Sequence, residues 1–236
     1  ALIEAGDRTA RVLSDGNGAQ SIGKHHDSLR MGRAFGIGGT STLWGGQLVE
    51  FQPADLLHPE FPWPIDWHEL QSLYPRVIAE LGLPPRPSDA DLRMKLGVKH
   101  PLSELDHFYT TWLPQPNFSK LWGKLLRESD RLSIYVQQTA VHAHFEDTRC
   151  VAIEAVDPGG RRTRFHARHF LLALGTIGNA QFCLTQKAYE STPFRDNTHV
   201  GHWFYDHLGG KMGYLRIADK RRFRQGFENG FACGHK

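Results

Sequence analysis

Apolar and polar positions alternate along the chain in a mixed order of strand and helix patterns. Leu2 and Ile3 open an apolar run that ends in Glu4 and Gly6, which predicts a strand with an acid at its carboxyl end. Residues 8–26 are polar and glycine-bearing and read as a surface loop, and prolines and aromatics between 51 and 64 argue for irregular structure pinned against a core. Asp66 stands as an N-cap before Glu69, Leu70, Leu73, Tyr74, Val77, Ile78 and Leu81, a helical spacing that Gly82 and Pro84 end. Residues 85–118 carry five prolines, at 85, 87, 101, 114 and 116, and read as part of a substrate-side region.

A second helix is expected over 120–128, followed by strands at 132–136 and 140–145. A hairpin follows, from 151–156 through Pro158-Gly159-Gly160 to 162–167. The continuous apolar run at 170–175 is typical of a strand buried on both faces of a sheet. From Gly175 a glycine-bearing turn leads into a helix reaching about Gln186. Strand, glycine turn and helix together form a phosphate-binding arrangement, because a helix N-terminus offers free backbone N–H groups and partial positive charge.

Composition narrows the function classes. A chain of 236 residues with 40% hydrophobic content has material for one good-sized core or two small ones, so disorder is not the default reading. Its 28 basic and 25 acidic residues are spread throughout, and the one basic cluster, Lys220-Arg221-Arg222, reads as a solvated loop, so no nucleic-acid partner is inferred. Cys150, Cys183 and Cys233 lack CxxC spacing and read as free thiols, neither a disulfide framework nor a zinc site. No stretch approaches the roughly 18–20 apolar residues of a membrane span. A soluble chain is expected, cytoplasmic or exported. The opening strand has no preceding turn or initiator Met, and residues 230–236 have no helix or polar tail, so a chain cut at both ends is expected.

Candidate chemistry concentrates in two places. Glu4 fits a ribose-binding acid at a strand end, and equally a solvated edge residue. In residues 32–46, six of fifteen positions are glycine, interleaved with Phe35, Ile37, Leu43 and Trp44. Clustered glycines let backbone approach a flat or anionic ligand, and Thr40, Ser41 and Thr42 add small hydroxyls. A flexible surface loop would have little use for those apolar residues. Among the histidines, His25-His26 reads as solvent-exposed. His142 and His144 share a strand face, yet no carboxylate or cysteine at suitable spacing completes a metal site, and no metal is inferred. His202 fits a hydrogen-bonded structural histidine as well as a cofactor contact.

The run Gly38-Gly39-Thr40-Ser41-Thr42-Leu43-Trp44-Gly45-Gly46 resembles the glycine-rich signature of glucose-methanol-choline (GMC) oxidoreductases. Four other segments are similar to that family in the right order. They are Leu2-Ile3-Glu4-Ala5-Gly6, Phe61-Pro62-Trp63-Pro64 with the helix after it, the strands around Val141 with the hairpin and the 170–179 turn, and Val200 to His207, a Gly-x-x-x-x-Asp-His pattern. The resemblance implies an FAD-dependent oxidoreductase with an α/β fold. Its FAD/NAD(P)-binding, Rossmann-like sheet would be assembled from discontinuous segments, with residues 1–50 and 119–210 forming a partial FAD domain. Residues 51–118 would be an inserted part of the substrate domain, and 211–236 the truncated start of that domain.

The implied cofactor contacts are Glu4, Arg33, Gly38, Gly39, Thr40, Ser41, Trp44, Gly45, Gly46, Val141, Ala173, Gly175, Asp206 and His207. Leu43 stands where some sugar oxidases of the family carry a flavin-linked histidine, so noncovalent FAD is implied. The implied reaction is oxidation of an alcohol group, on a sugar or polyol, by hydride transfer to flavin N5, with the electron acceptor left open. The family's catalytic His and its His or Asn partner have no counterpart in this chain, so catalytic residues are unassigned and the chain alone is expected to be inactive. Two alternatives stand beside this reading: a non-catalytic binding or interaction remnant of a flavoprotein, and a flavoenzyme for a sterol, which the polar, proline-rich 85–118 region disfavours.

Overall fold

In the computed structural model, which describes residues 1–13, 20–22, 31–57, 59, 62–97, 109–189, 192–204, 211, 213–214 and 216–227, the chain divides into two units. The first comprises Ala1–Leu43 and Phe118–Gly210, the second Trp44–Asn117 and Lys211–Lys236. The division falls between Leu43 and Trp44, inside the glycine-rich segment.

In the first unit, strand β1 (Leu2–Ile3) runs parallel to β6 (Ile134–Tyr135). Their pairing continues past both strands, with Glu4 N–H donating to Tyr135 O at 2.9 Å and Gln138 N–H donating to Glu4 O at 2.9 Å. Within the stretch expected to be loop, β2 (Arg11–Val12) pairs antiparallel with β3 (Ala34–Phe35). The largest sheet is antiparallel, in the order β7 (Thr139–Glu146), β8 (Arg149–Val156), β9 (Arg162–His166). Two-residue closure between β7 and β8 needs positive φ, which Asp147 supplies at 53°. At the next turn the Asp157 carboxylate accepts from the N–H groups of Gly159 and Arg161.

Helix α6 (Gly175–Gln186) lies along β7 and closes the core of this unit. Ala143, Ile153 and Phe182 are buried together, with Ala140, Phe145, Cys150, Phe170 and Leu172 packed around them. Burying a side chain such as Ile153 or Phe182 contributes roughly 1.5–3 kcal/mol. Two shorter helices, α4 (Phe118–Leu121) and α5 (Gly123–Glu128), replace the single helix expected over 120–128. Trp122, at φ −105° and ψ 23°, leaves helical geometry and breaks the run.

The run at 170–174 forms no ladder. Phe170 and Leu172 pack inward, but Leu171 is 92% exposed, because no strand among the described residues flanks it. An apolar run becomes a doubly buried strand only where neighbours cover both edges. Among the described residues the fold is therefore mixed α/β with small open sheets. Among those residues the parallel pairing is limited to β1 with β6, and a Rossmann-type sheet is not shown.

In the second unit, β4 (Gln47–Leu48) pairs antiparallel with β5 (Thr111–Trp112). Helix α1 (Pro53–Leu56) occupies part of the stretch expected to be irregular. It starts at a capping box in which Gln52 and Asp55 serve each other's backbone N–H. The helix expected after Asp66 is α2 (Trp67–Glu80), whose N-cap carboxylate accepts from His68 and Glu69 N–H. Trp67, Leu70, Tyr74 and Ile78 line its partly buried face, and Leu81 is buried at its end. Helix α3 (Asp89–Leu96), capped by Ser88, had no periodic signal in the sequence. Lys220 and Arg221 are exposed on helix α7 (Lys220–Phe227), not on a loop. No helix among the described residues is long and apolar enough to cross a membrane.

Candidate functional site

The acid at the end of β1 is held by backbone. One Glu4 carboxylate oxygen, Oε1, accepts from Gly6 N–H at 2.7 Å and from Gly36 N–H at 2.9 Å. Both glycines are required by this close approach. A Cβ on Gly6 would lie 2.4 Å from Gly36 N, and one on Gly36, at φ 129°, would lie 2.6 Å from Ala10 Cα. Gly36 was not among the residues singled out from the sequence, yet it ties Glu4 to the glycine-rich segment. Among the described residues no donor is bonded to the second carboxylate oxygen, Oε2.

Two residues beyond Gly36, the chain turns through Gly38 in left-handed geometry (φ 96°) into a 310 turn at Gly39–Thr42. Ser41 Oγ donates to Gly38 O and accepts from Phe118 N–H at 3.1 Å, while Thr42 Oγ1 donates to Gly39 O at 2.9 Å. Thr40 is exposed, and no bond to its hydroxyl is formed among the described residues. Gly39, at φ 47°, faces open space, with only Ala34 O at 3.9 Å from the place of a Cβ. Arg33 lies with its guanidinium 5.1 Å from the Phe35 ring centre, and burial pulls its pKa below the ordinary arginine value.

Val141 joins this neighbourhood through the backbone. The segment leading to it is bonded to β1 at Gln138, and Val141 itself is the extra residue of a β-bulge, since Ala140 pairs with Ala155 and His142 with Glu154. Its carbonyl accepts from Gln186 Nε2 at 3.3 Å. Gln186 is fully buried, and its Oε1 also accepts from Ala143 N–H at 2.9 Å. The amide thus pairs with the free edge of β7 as a neighbouring strand would. Nothing in the periodicity marks this residue, because a lone polar position on an apolar helix face reads as a boundary.

Ala173 is exposed in the unpaired run before α6, and Gly175 opens that helix at φ 75° with no atom within 4 Å of a Cβ. The N-cap residue Leu174 offers no side-chain cap, and Asn179 Oδ1 takes the Leu174 N–H at 3.1 Å, which leaves the N–H groups from Gly175 onward for a ligand. Before His207, Trp203 stands at φ 61° and is 68% exposed, an uncommon backbone state for a bulky residue. Asp206 and His207, like His25 and His26, lie outside the described residues.

Trp44, Gly45 and Gly46 belong to the second unit, and protein contacts account for them there. Trp44 Nε1 donates to Pro116 O at 2.8 Å. A Cβ on Gly45 would lie 2.7 Å from the Trp112 ring, and one on Gly46 would lie 2.8 Å from Pro116 Cβ. Their small size serves packing against β5 and the chain after it.

The histidines of β7 form a polar cluster. The His142 and His144 rings meet edge to face at 4.4 Å, and His142 Nδ1 lies 3.0 Å from Gln186 Oε1. His144 Nε2 lies 3.8 Å from Glu154, which is bonded to Arg162. Among the described residues no three potential ligands converge on a metal position. Burial pushes the Cys150 and Cys183 thiols above their ordinary pKa, so neither is poised as a thiolate; Cys233 is outside the described residues.

The first-unit residues fit a dinucleotide such as FAD. An oriented carboxylate with a free oxygen suits ribose hydroxyls, and positive-φ glycines facing open space at 39 and 175 suit close approach by pyrophosphate. In comparisons with known proteins, no family model and no curated protein matches this chain.

Proposed function

We propose that this chain carries the FAD-binding part of an oxidoreductase that oxidises an alcohol group on a sugar or polyol, with FAD held noncovalently. The observation that carries the reading is the Glu4 carboxylate, fixed by Gly6 and Gly36 at a parallel strand end and leading directly into the Gly38–Ser41 turn. When bound, FAD supplies the hydride acceptor at N5. Glu4 Oε2 would accept a ribose hydroxyl. The backbone around Gly39 and the uncapped start of α6 at Gly175 would face the phosphates, with Thr40 as an added donor. Arg33 adds positive charge near the same turn. These residues bind and orient. The base that takes the alcohol proton is not assigned to any of them.

The test is the visible flavin absorption of the purified protein, expressed with its native flanking coding sequence and loaded with FAD, beside its Glu4→Gln variant. The amide keeps an oxygen for Gly6 and Gly36, so the melting temperature should hold. Loss of a charge-assisted bond to ribose should weaken FAD roughly tenfold or more. Absence of flavin bands in the wild-type protein, or equal affinity in the variant, would overturn the proposal. Absence of flavin bands in a folded monodisperse protein would favour the non-catalytic binding reading.

A further inference from the structure

Within the second unit, a cavity of about 440 Å³ opens between the β4–β5 ribbon, the partly buried face of α2 and the start of α3. Its size falls in the range of about 300–1,000 Å³ typical of small-molecule sites. One wall is apolar, built from Val77 and Ile78 of α2 with the Trp44 ring. The opposite wall is polar, and its hydrogen-bonding state can be read from the contacts.

Thr110 Oγ1 accepts from Gln47 Nε2 and from Trp112 Nε1, each at 3.0 Å. With its lone pairs engaged, the hydroxyl is left with a proton to donate. Tyr74 OH accepts one bond, from Phe51 N–H at 3.1 Å, and its proton is likewise left to donate. Glu50 lines the cavity, and its carboxylate forms no bond among the described residues. Arg86, the cavity's cation, is already engaged. Its guanidinium bonds Asp89 and donates to Tyr109 O at 2.6 Å. The wall thus offers two oriented hydroxyl donors and one carboxylate acceptor, and its net charge is negative.

We infer that this cavity binds a neutral polyhydroxylated ligand with one apolar face, of the size of a mono- or disaccharide. A wholly apolar ligand would strip water from Thr110, Tyr74 and Glu50 and return no hydrogen bonds. An anionic one would meet Glu50 with Arg86 already neutralised. A pyranose meets both conditions: its hydroxyls accept from Thr110 and Tyr74 and donate to Glu50, while its C–H face lies on Val77 and Ile78. The inference does not rest on the flavin reading, since binding is measured without flavin.

The experiment is calorimetric titration of the intact protein with neutral mono- and disaccharides, the corresponding sugar acids, and benzyl alcohol. Saturable binding of a neutral sugar is expected. Thr110→Val and Tyr74→Phe should each weaken it roughly two- to tenfold, and Glu50→Gln roughly tenfold. Val77→Trp, at a solvent-facing helix position, should fill the cavity and abolish binding while the protein still melts cooperatively. Glu50→Gln and Val77→Trp change positions open to solvent, so the test survives even if Tyr74→Phe misfolds. Failure of every neutral sugar to saturate, tighter binding of the sugar acid or benzyl alcohol, or sugar binding untouched by Val77→Trp would each overturn the inference.

Discussion

Gln186→Ala isolates the amide that closes the edge of β7. In the native chain Oε1 takes the Ala143 N–H and Nε2 serves Val141 O, with further bonds to Phe182 O at 3.2 Å and Thr185 Oγ1 at 3.1 Å. Thr185 Oγ1 also bonds Phe182 O, so those two groups keep a partner after truncation. The Ala143 amide, the Val141 carbonyl and His142 Nδ1 lose the partner that Gln186 gives them. Each buried polar group left unpaired costs about 1–3 kcal/mol. With the packing lost from a site that has no solvent exposure, the expected loss is about 3–5 kcal/mol. That is a large share of the roughly 5–15 kcal/mol by which domains are stable.

Gln186→Leu restores most of the volume but none of the pairing, and should still cost about 2 kcal/mol or more. Urea unfolding followed by circular dichroism measures the loss, and hydrogen exchange at the Ala143 amide reports the edge directly. If Gln186→Leu unfolds within about 0.5 kcal/mol of wild type and the Ala143 amide stays protected, packing rather than amide pairing holds α6.

Other outcomes follow from the same geometry. Gly36→Ala forces a side chain onto Ala10 Cα at positive φ, whereas Gly82→Ala meets positive φ (72°) in open space, so thermal melting should fall several times further for the first. Removing the N-cap with Asp66→Ala should cost about 1 kcal/mol in chemical denaturation.

His144 gives an acid-side dependence. Burial, then His142 and Arg164, with His166 adding, hold its pKa below the ordinary histidine value against an opposing pull from Glu154. The unfolded chain then binds the proton first, so this stability is complete above about pH 6.5 and declines as pH falls below it. His144→Gln should flatten that decline in pH-dependent melting. At lower pH a second decline is expected from Glu154, whose pKa is lowered chiefly by its hydrogen bond to Arg162. Its contribution is present above the ordinary glutamate range and is lost as pH falls through the depressed value.

What the sequence made legible was local. Asp66 with its apolar stripe, the hairpin about Asp157, and Gly175 as a helix start are each settled by residues close in the chain. Helices α1 and α3 escaped because Gln52 and Ser88 carry their caps while the apolar spacing behind them is short. The 170–174 run shows the opposite failure. Its composition is that of a central strand, but pairing is a property of neighbours, and β1 found its partner at Ile134, more than a hundred residues away. At the candidate site, Glu4 and the glycines of 38 and 39 were legible from residue type. Gly36 and Gln186 were not, since Gly36 acts through its own N–H and the Gln186 side-chain amide serves backbone groups of a distant strand, neither of which periodicity reveals.

The two hydrogen bonds at the unit boundary bear on how such a chain tolerates rearrangement. Ser41 Oγ meets Phe118 N–H on one side of the crossing, and Trp44 Nε1 meets Pro116 O on the other. The outgoing and returning threads are therefore laced together at their base, and residues 44–117 form an excursion whose two ends are adjacent. A genetic event that lengthens, exchanges or deletes this excursion leaves the threading of the first unit unchanged, because a few residues joining Leu43 to Phe118 would close the gap. Residues 44–117 can thus diversify while the unit bearing Glu4 is inherited intact.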